Sequence, residues 1–318
     1  MLVNEIQLEL GRQIEDMTRI LELAQQAADE ANLEGLQLIA TNYPLVAAQM
    51  LNKIELTEQM LDYLGSDELI RLYSRTKKHL SYEIRKKMLD KLIPFITEKA
   101  KIIFQRGISS SVSKYVNYEP GDSWEIEMTI EKMLSLGKIT PDYESIVVKE
   151  PSKRKKSIVI CIDRSMSVLQ LIHQIVLMAS VLSLSVKKDN FAIIDFDSNA
   201  YILKNMTDSV HSDALVELIL NIESGGKTNL EEAISLATEQ LKFCSSQEKI
   251  IYLISDLERT IGKNPLPIIQ RIPDLRIIYV KTYRRVSFVD EVASLPNVSF
   301  EELNYNSDLV ELTTKLVM

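Results

Sequence analysis

The chain has 318 residues, 46% hydrophobic and 26% charged, long enough for one large or two ordinary domains with real cores, and two are expected. Its 45 acidic and 37 basic residues leave a formal net charge of -8, which weighs against nucleic acid or an anionic membrane as the main partner, because both reward positive charge. Cys161, in an apolar run, and Cys244, at the end of a helical pattern, lack metal-ligand spacing, so a reducing cytosol fits and a disulfide framework does not.

The opening residues, Met1 to Ile6, turn charged at once, whereas a signal peptide needs a basic start and a continuous apolar stretch. From Val3 to about Gln105 apolar residues recur at helical spacing, with Ile6, Leu10, Ile14, Met17, Leu21, Ala24 and Ala28 on one predicted stripe. Breaks are expected at Asn42 to Pro44, at Gly65-Ser66-Asp67 and at Pro94, which falls inside or between helices. Ser66 is placed as an N-cap, with Asp67 and Glu68 in the first turn. Ile108 to Asp122, rich in Ser, Tyr, Pro and Gly, reads as a long loop. A short helix follows, with Asp122 and Glu125 as a capping box and Gly137 as its terminator. Lys149 to Lys156 is polar, basic and Pro-containing. The boundary is placed there, between an all-helical N-terminal domain, residues 1–150, and a second domain, residues 157–318.

After Ser157 short apolar runs alternate with amphipathic stretches. Strands are predicted at Ser157 to Ile162, Asn190 to Phe196, Tyr201 to Lys204, Lys249 to Ile254, Leu275 to Lys281 and Asn297 to Phe300, with helices at about 167–187, 209–222, 230–243, 264–271 and 307–317. Strands apolar on both faces that alternate with helices predict an α/β fold with a doubly wound, mostly parallel sheet. Only the link from Phe196 to Tyr201 is too short for a crossover, so Tyr201 to Lys204 is predicted as an antiparallel edge strand. No apolar run is read as reaching the ~18 to 20 residues of a membrane span. A soluble, cytoplasmic protein with no membrane partner is expected.

In such a sheet ligands gather beyond the carboxyl ends of the strands, and three segments are predicted to end there. Asp163, Ser165 and Ser167 stand in Asp163-Arg164-Ser165-Met166-Ser167 after the first strand, Thr228 in Gly225-Gly226-Lys227-Thr228-Asn229, and Asp256 after the strand that ends at Ile254 and Ser255. Taken singly, Ser167 and Thr228 fit helix N-caps, with Glu231 completing a capping box, and Asp163 and Asp256 fit solvated loop acids. Taken together, two carboxylates and three hydroxyls compose an oxygen-only site suited to Mg²⁺, with Mn²⁺ or Ca²⁺ as further candidates.

On these residues the sequence resembles the von Willebrand factor A (vWA) domain, whose metal-ion-dependent adhesion site combines D-x-S-x-S, a loop Thr and a loop Asp. The resemblance runs from about 157 to 318, and all five positions are filled. It implies that Ser165, Ser167 and Thr228 touch the ion directly or through water, that Asp163 and Asp256 hold its waters or bind directly, and that a Glu or Asp of a partner protein takes the sixth position. Met166, and Leu257 after the loop Asp, depart from the glycines common there. The helical first half, Tyr118-Glu119-Pro120-Gly121-Asp122 and a C-terminal vWA domain also resemble the CoxE-like group, which implies an adaptor or co-chaperone of a MoxR-type AAA+ ATPase in the assembly or remodelling of protein complexes.

Other signals give less. Gly226-Lys227-Thr228 lacks the glycine that a P-loop requires at Asn221, so no intrinsic ATPase is expected. His79, His173 and His211 stand far apart, without zinc spacing. Asp195 and Asp197 suggest a carboxylate pair, but a hairpin-turn role suits Asp197 better. Arg71, Arg75, Lys77, Lys78, Arg85, Lys86, Lys87 and Lys91 form a basic concentration that reads as a solvated face or a dock for an acidic ATPase surface. No catalytic residue is identified. A metal-assisted hydrolase using the same ion, or a scaffold with a vacant site, are the alternatives to a non-enzymatic adaptor.

Overall fold

The computed structural model describes residues 2–11, 17–55, 61, 64–110, 126–140, 145–147, 156–246, 248–282, 287–304 and 307–317. Seven described helices precede the sheet: α1 (Leu2–Leu10), α2 (Met17–Asp29), α3 (Leu33–Asn42), α4 (Pro44–Leu51), α5 (Ser66–Thr76), α6 (Tyr82–Ser110) and α7 (Ile126–Ser135). The single predicted stripe is divided. Ile6, Ala24 and Ala28 are buried, but Met17 and Leu21 are 49% and 42% exposed, and Ile14 lies outside the described residues. The inward face of α2 is Ile20, Leu23, Ala24, Ala27 and Ala28.

Local rules explain several helix ends. Asn32 caps α3 by accepting from the Gly35 N–H at 2.9 Å, and Pro44 opens α4, where a missing N–H costs nothing. The N-cap of α5 is Gly65 rather than Ser66: the extended backbone of Gly65 makes Ser66 the first helical residue, while Asp67 and Glu68 still face the positive end of the helix dipole. Pro94 lies inside α6. That helix runs through Ser110 and takes in the first residues of the predicted loop. Most of that loop, Asp122, Glu125 and nearly all of the predicted boundary segment lie outside the described residues. Gly137, at φ +67, ends α7, with Lys138 N donating to Met133 O at 2.9 Å.

The sheet contains β1 (Ser157–Asp163), β2 (Asn190–Phe196), β3 (Ala200–Lys204), β4 (Lys249–Ser255), β5 (Asp274–Val280) and β6 (Val298–Leu303) in the order β3-β2-β1-β4-β5-β6. All neighbours are parallel except β2 and β3. Helices α8 (Ile172–Ser185), α9 (Ser212–Leu220), α10 (Leu230–Gln240), α11 (Leu266–Ile269) and α12 (Ser287–Ala293) lie in the links between strands, and α13 (Leu309–Val317) follows β6. Sequence periodicity missed α12, which is too short to show a period. A parallel link from β5 to β6 nevertheless requires a crossover.

Residue alternation sends Ile158, Ile160 and Ile162 of β1 into one apolar layer and Val159 and Cys161 into the other. The first layer holds α8, α9 and α13 and continues without a break into the helical region, from Ile160 through Leu182 to Leu36 and Ile6. The second holds α10, Ile269 and α12. Helix α8, lying between the sheet and the helical region, has 12 of its 14 residues buried, as expected of a helix apolar all round. Met166–Ser185 is in fact long and apolar enough to cross a membrane, contrary to the reading of the sequence, and 78% of its apolar window is buried within this protein.

Candidate metal centre

The strand order reverses between β1 and β4, which opens a crevice at their carboxyl ends. Asp163 closes β1 and is fully buried. Its Oδ1 accepts from Ser165 N at 2.9 Å, and its Oδ2 from Ser255 Oγ at 2.5 Å. Ser165 Oγ lies 3.0 Å from Ser167 Oγ, and Ser167 hydrogen-bonds Asp256. Asp256, with no exposed surface, accepts from Glu258 N at 3.0 Å through Oδ1, while its buried Oδ2 has no hydrogen-bond partner.

Thr228 reaches the same rim through backbone stitching. Its N–H donates to Thr260 Oγ1 at 2.6 Å, and its carbonyl accepts from Thr260 N and Ile261 N at 3.2 Å each. Gly225 N donates to Arg164 O at 2.8 Å and Met166 N to Gly226 O at 3.2 Å, which ties the Thr228 loop to the loop after β1. Gly226 makes this approach possible: it has φ +72, and a Cβ there would lie 2.8 Å from Asp197 Oδ2.

The capping alternatives do not hold. Asn229, not Thr228, caps α10 by accepting from Glu232 N at 3.3 Å, and its amide donates to Glu232 Oε2 at 2.8 Å, so Glu232 rather than Glu231 reciprocates. Ser167 lies within the 3₁₀ turn Met166–Leu171. Asp163 and Asp256 are interior groups, not solvated acids.

Burial, and then the nearby Asp256, push the Asp163 carboxyl up to about 7, and burial likewise raises Asp256. Among the described residues no cation pairs with either. Arg164, next in sequence to Asp163, turns instead to Asp195 at 2.8 Å and Asp197 at 3.1 Å. It also stacks near the Tyr201 ring and donates to Glu223 O at 3.2 Å. The Asp195 and Asp197 pair is thus engaged, and Asp197 serves the hairpin turn by accepting from Asn199 N at 3.1 Å.

The donor set fits a hard divalent cation: hydroxyl and carboxylate oxygens only, two buried acids without counter-charge, and one carboxylate oxygen left without a bond. Among the described residues no group of three or more His, Cys, Asp or Glu gathers to hold a metal ion, so a cation at this site would depend on the hydroxyls of Ser165, Ser167 and Thr228 to complete its shell. Sequence reasoning missed Ser255, which orients Asp163, and Thr260, which anchors Thr228. Ser255 had a signal, a lone hydroxyl closing an apolar strand; Thr260 had none. Leu257 holds a left-handed backbone, φ 58, with its side chain buried and its N–H on Ser255 Oγ at 3.0 Å. That conformation explains why glycine suits the position.

A family model, the von Willebrand factor type A domain, matches residues 158–259. This segment is a vWA domain. Among solved structures the chain is similar to the conserved hypothetical protein BatB from Bacteroides thetaiotaomicron, at 15% identity and TM-score 0.43 over 51% of this chain and 97% of that one. It is also similar to a von Willebrand factor type A protein from Catenulispora acidiphila, at 14% identity and TM-score 0.43 over 54% of this chain and 42% of that one. A third is proximal thread matrix protein 1 from the mussel byssus, at 14% identity and TM-score 0.44 over 52% and 47%. No curated protein sequence matches the chain. Each alignment covers about half of this chain, and the vWA match begins at β1, so the helices before it lie outside the matched segment.

Proposed function

We propose that the protein is a non-enzymatic adaptor that binds partner proteins through a divalent cation, Mg²⁺ in the first place and Mn²⁺ or Ca²⁺ as substitutes, held by Asp163, Ser165, Ser167, Thr228 and Asp256. The observation that carries this reading is the pair of buried, uncompensated carboxylates, Asp163 held by Ser165 N and Ser255 Oγ and Asp256 beside Ser167, with Asp256 Oδ2 left without a hydrogen-bond partner. A vWA domain suits protein–protein interaction or metal-dependent adhesion.

The chain's own residues prepare the site. Ser165 N and Ser255 Oγ fix the Asp163 carboxylate, Glu258 N fixes one oxygen of Asp256, and the contacts of Thr228 with Thr260 and Ile261 set its loop. When bound, Mg²⁺ supplies an under-neutralised centre that attracts a carboxylate from another protein. Affinity in the absence of that partner is roughly sub-millimolar to millimolar, and cation and partner tighten one another equally.

The resemblance to the CoxE-like group makes a MoxR-type AAA+ ATPase the proposed companion, in the cytoplasm, with the adaptor acting as its co-chaperone. Exposed Lys86, Lys87 and Lys91 on α6 offer a second, basic surface for it. Hydrolysis by the same ion would need a general base: Asp195 and Asp197 are held by Arg164, and Glu258, close enough to Asp256 to raise its carboxyl, is the further acid that this alternative would have to use. The test is whether an AAA+ ATPase co-purifies with the intact protein in Mg²⁺ and is released by EDTA. Asp163→Ala and Thr228→Ala are each expected to abolish this binding while keeping the wild-type circular dichroism. Undiminished binding by both variants in chelator would refute the proposal.

A further inference from the structure

We infer that the helical region holds the Thr228 loop in place through Lys77 and Tyr73, which serve as positioning residues for the cation site; this rests on the site proposed above. Lys77 belongs to a basic run, yet it is only 5% exposed, and its Nζ donates to the carbonyls of Leu220 and Ile222. Leu220 is the last residue of α9. Carbonyls at a helix C-terminus lack intrahelical partners and sit at the negative end of its dipole, so a lysine is the matching cap. Here a different part of the chain supplies that cap, from 143 residues away. Tyr73, fully buried, donates its hydroxyl to Asn221 Oδ1 at 2.7 Å, and Lys78 Nζ lies 3.6 Å from the Glu223 carboxylate.

Residues 220–223 are therefore gripped from one side by α5 and the turn after it. From the other side the same stretch is fastened to the loop after β1. Arg164 Nη1 donates to Glu223 O, Gly225 N to Arg164 O, and Met166 N to Gly226 O. The chain then arrives at Thr228. A connection also runs outward, because Arg85 Nη2 on α6 donates to Lys77 O at 2.7 Å. The path from Arg85 on α6 to Thr228 alternates hydrogen bonds with short covalent stretches of chain, and by linkage whatever shifts one end biases the other.

The test compares the full-length protein with Lys77→Met, which keeps the apolar stem and loses the donor, and Tyr73→Phe, which loses one hydroxyl from a side chain that stays packed. Amide hydrogen exchange and Mn²⁺ titration followed by electron paramagnetic resonance are measured on each. Exchange from Gly225 to Asn229 is expected to rise about tenfold while β1 and β4 stay protected, and Mn²⁺ is expected to bind about five- to tenfold more weakly. Unchanged exchange in that segment in the folded variants, or a uniform rise across the whole molecule, overturns the inference. Failure of the wild type to bind Mn²⁺ would sink the cation site instead, and the exchange measurement would still decide the coupling.

Discussion

Leu257 shows how one residue carries opposing energies. Its left-handed backbone costs about 1 to 2 kcal/mol for a residue with a Cβ, while its buried side chain returns about 2 to 5 kcal/mol relative to alanine. Packing wins, which is why leucine is tolerated beside Asp256. Both Leu257→Ala and Leu257→Gly should destabilise the protein, but urea denaturation should find the glycine variant the more stable of the two by about 1 kcal/mol, reversing the usual order. Equal or inverted stabilities would show that the backbone is not strained. At this scale the positions of Asp163, Ser165, Ser167 and Asp256 were legible because apolar runs mark the strand ends they follow, and that of Thr228 because Gly225 and Gly226 mark a loop before a helix. The sequence was silent on Thr260 and Lys77. The contacts of these two are with residues distant in the chain, and nothing local distinguishes a buried lysine from its solvated neighbours.

Among the elements, α8 has the most demanding position, since it is covered by the sheet on one side and the helical region on the other. His173 in its first turn is buried near Arg71 and Arg75, and burial followed by those two charges lowers it to about 3. The sign follows directly: between about pH 6.5 and 3 the unfolded chain binds a proton at this residue that the native protein does not, so stability falls as pH falls. His173→Gln should remove a slope of about 1.4 kcal/mol per pH unit, read as the difference between wild-type and variant unfolding free energies at pH 6.5, 5.5 and 4.5. Parallel curves would mean that the imidazole stays accessible to protons. The parallel strands and the antiparallel edge were legible from apolar runs and from one short link. The N-terminal stripe was not, because apolar spacing alone cannot show that Met17 and Leu21 face outward while Ile20, Leu23 and Ala24 take the inward face of α2.

Across the whole molecule, the apolar layer shared by the helical region and the sheet links two parts that composition alone separates. A fragment of residues 156–318 would uncover the outer side of α8, with Leu177, Val181 and Leu184 among the buried residues of that layer, a contiguous apolar patch of the kind that drives association. Size-exclusion chromatography should find the fragment aggregated or binding a hydrophobic dye. A monomeric fragment with the melting temperature of the full chain would contradict the shared layer.

Binding of the cation is the claim on which the functional account turns, and thermal unfolding of the intact protein against MgCl₂ at constant ionic strength measures it most directly. A ligand that binds only the native state stabilises it by RT ln(1 + L/Kd), with L the free ligand concentration, so the melting temperature begins to climb once the cation concentration passes Kd and goes on climbing with its logarithm. The account predicts this logarithmic rise for the wild type and a flat response for Asp256→Ala and Thr228→Ala. A flat wild-type response, or the same rise in all three proteins, would contradict it.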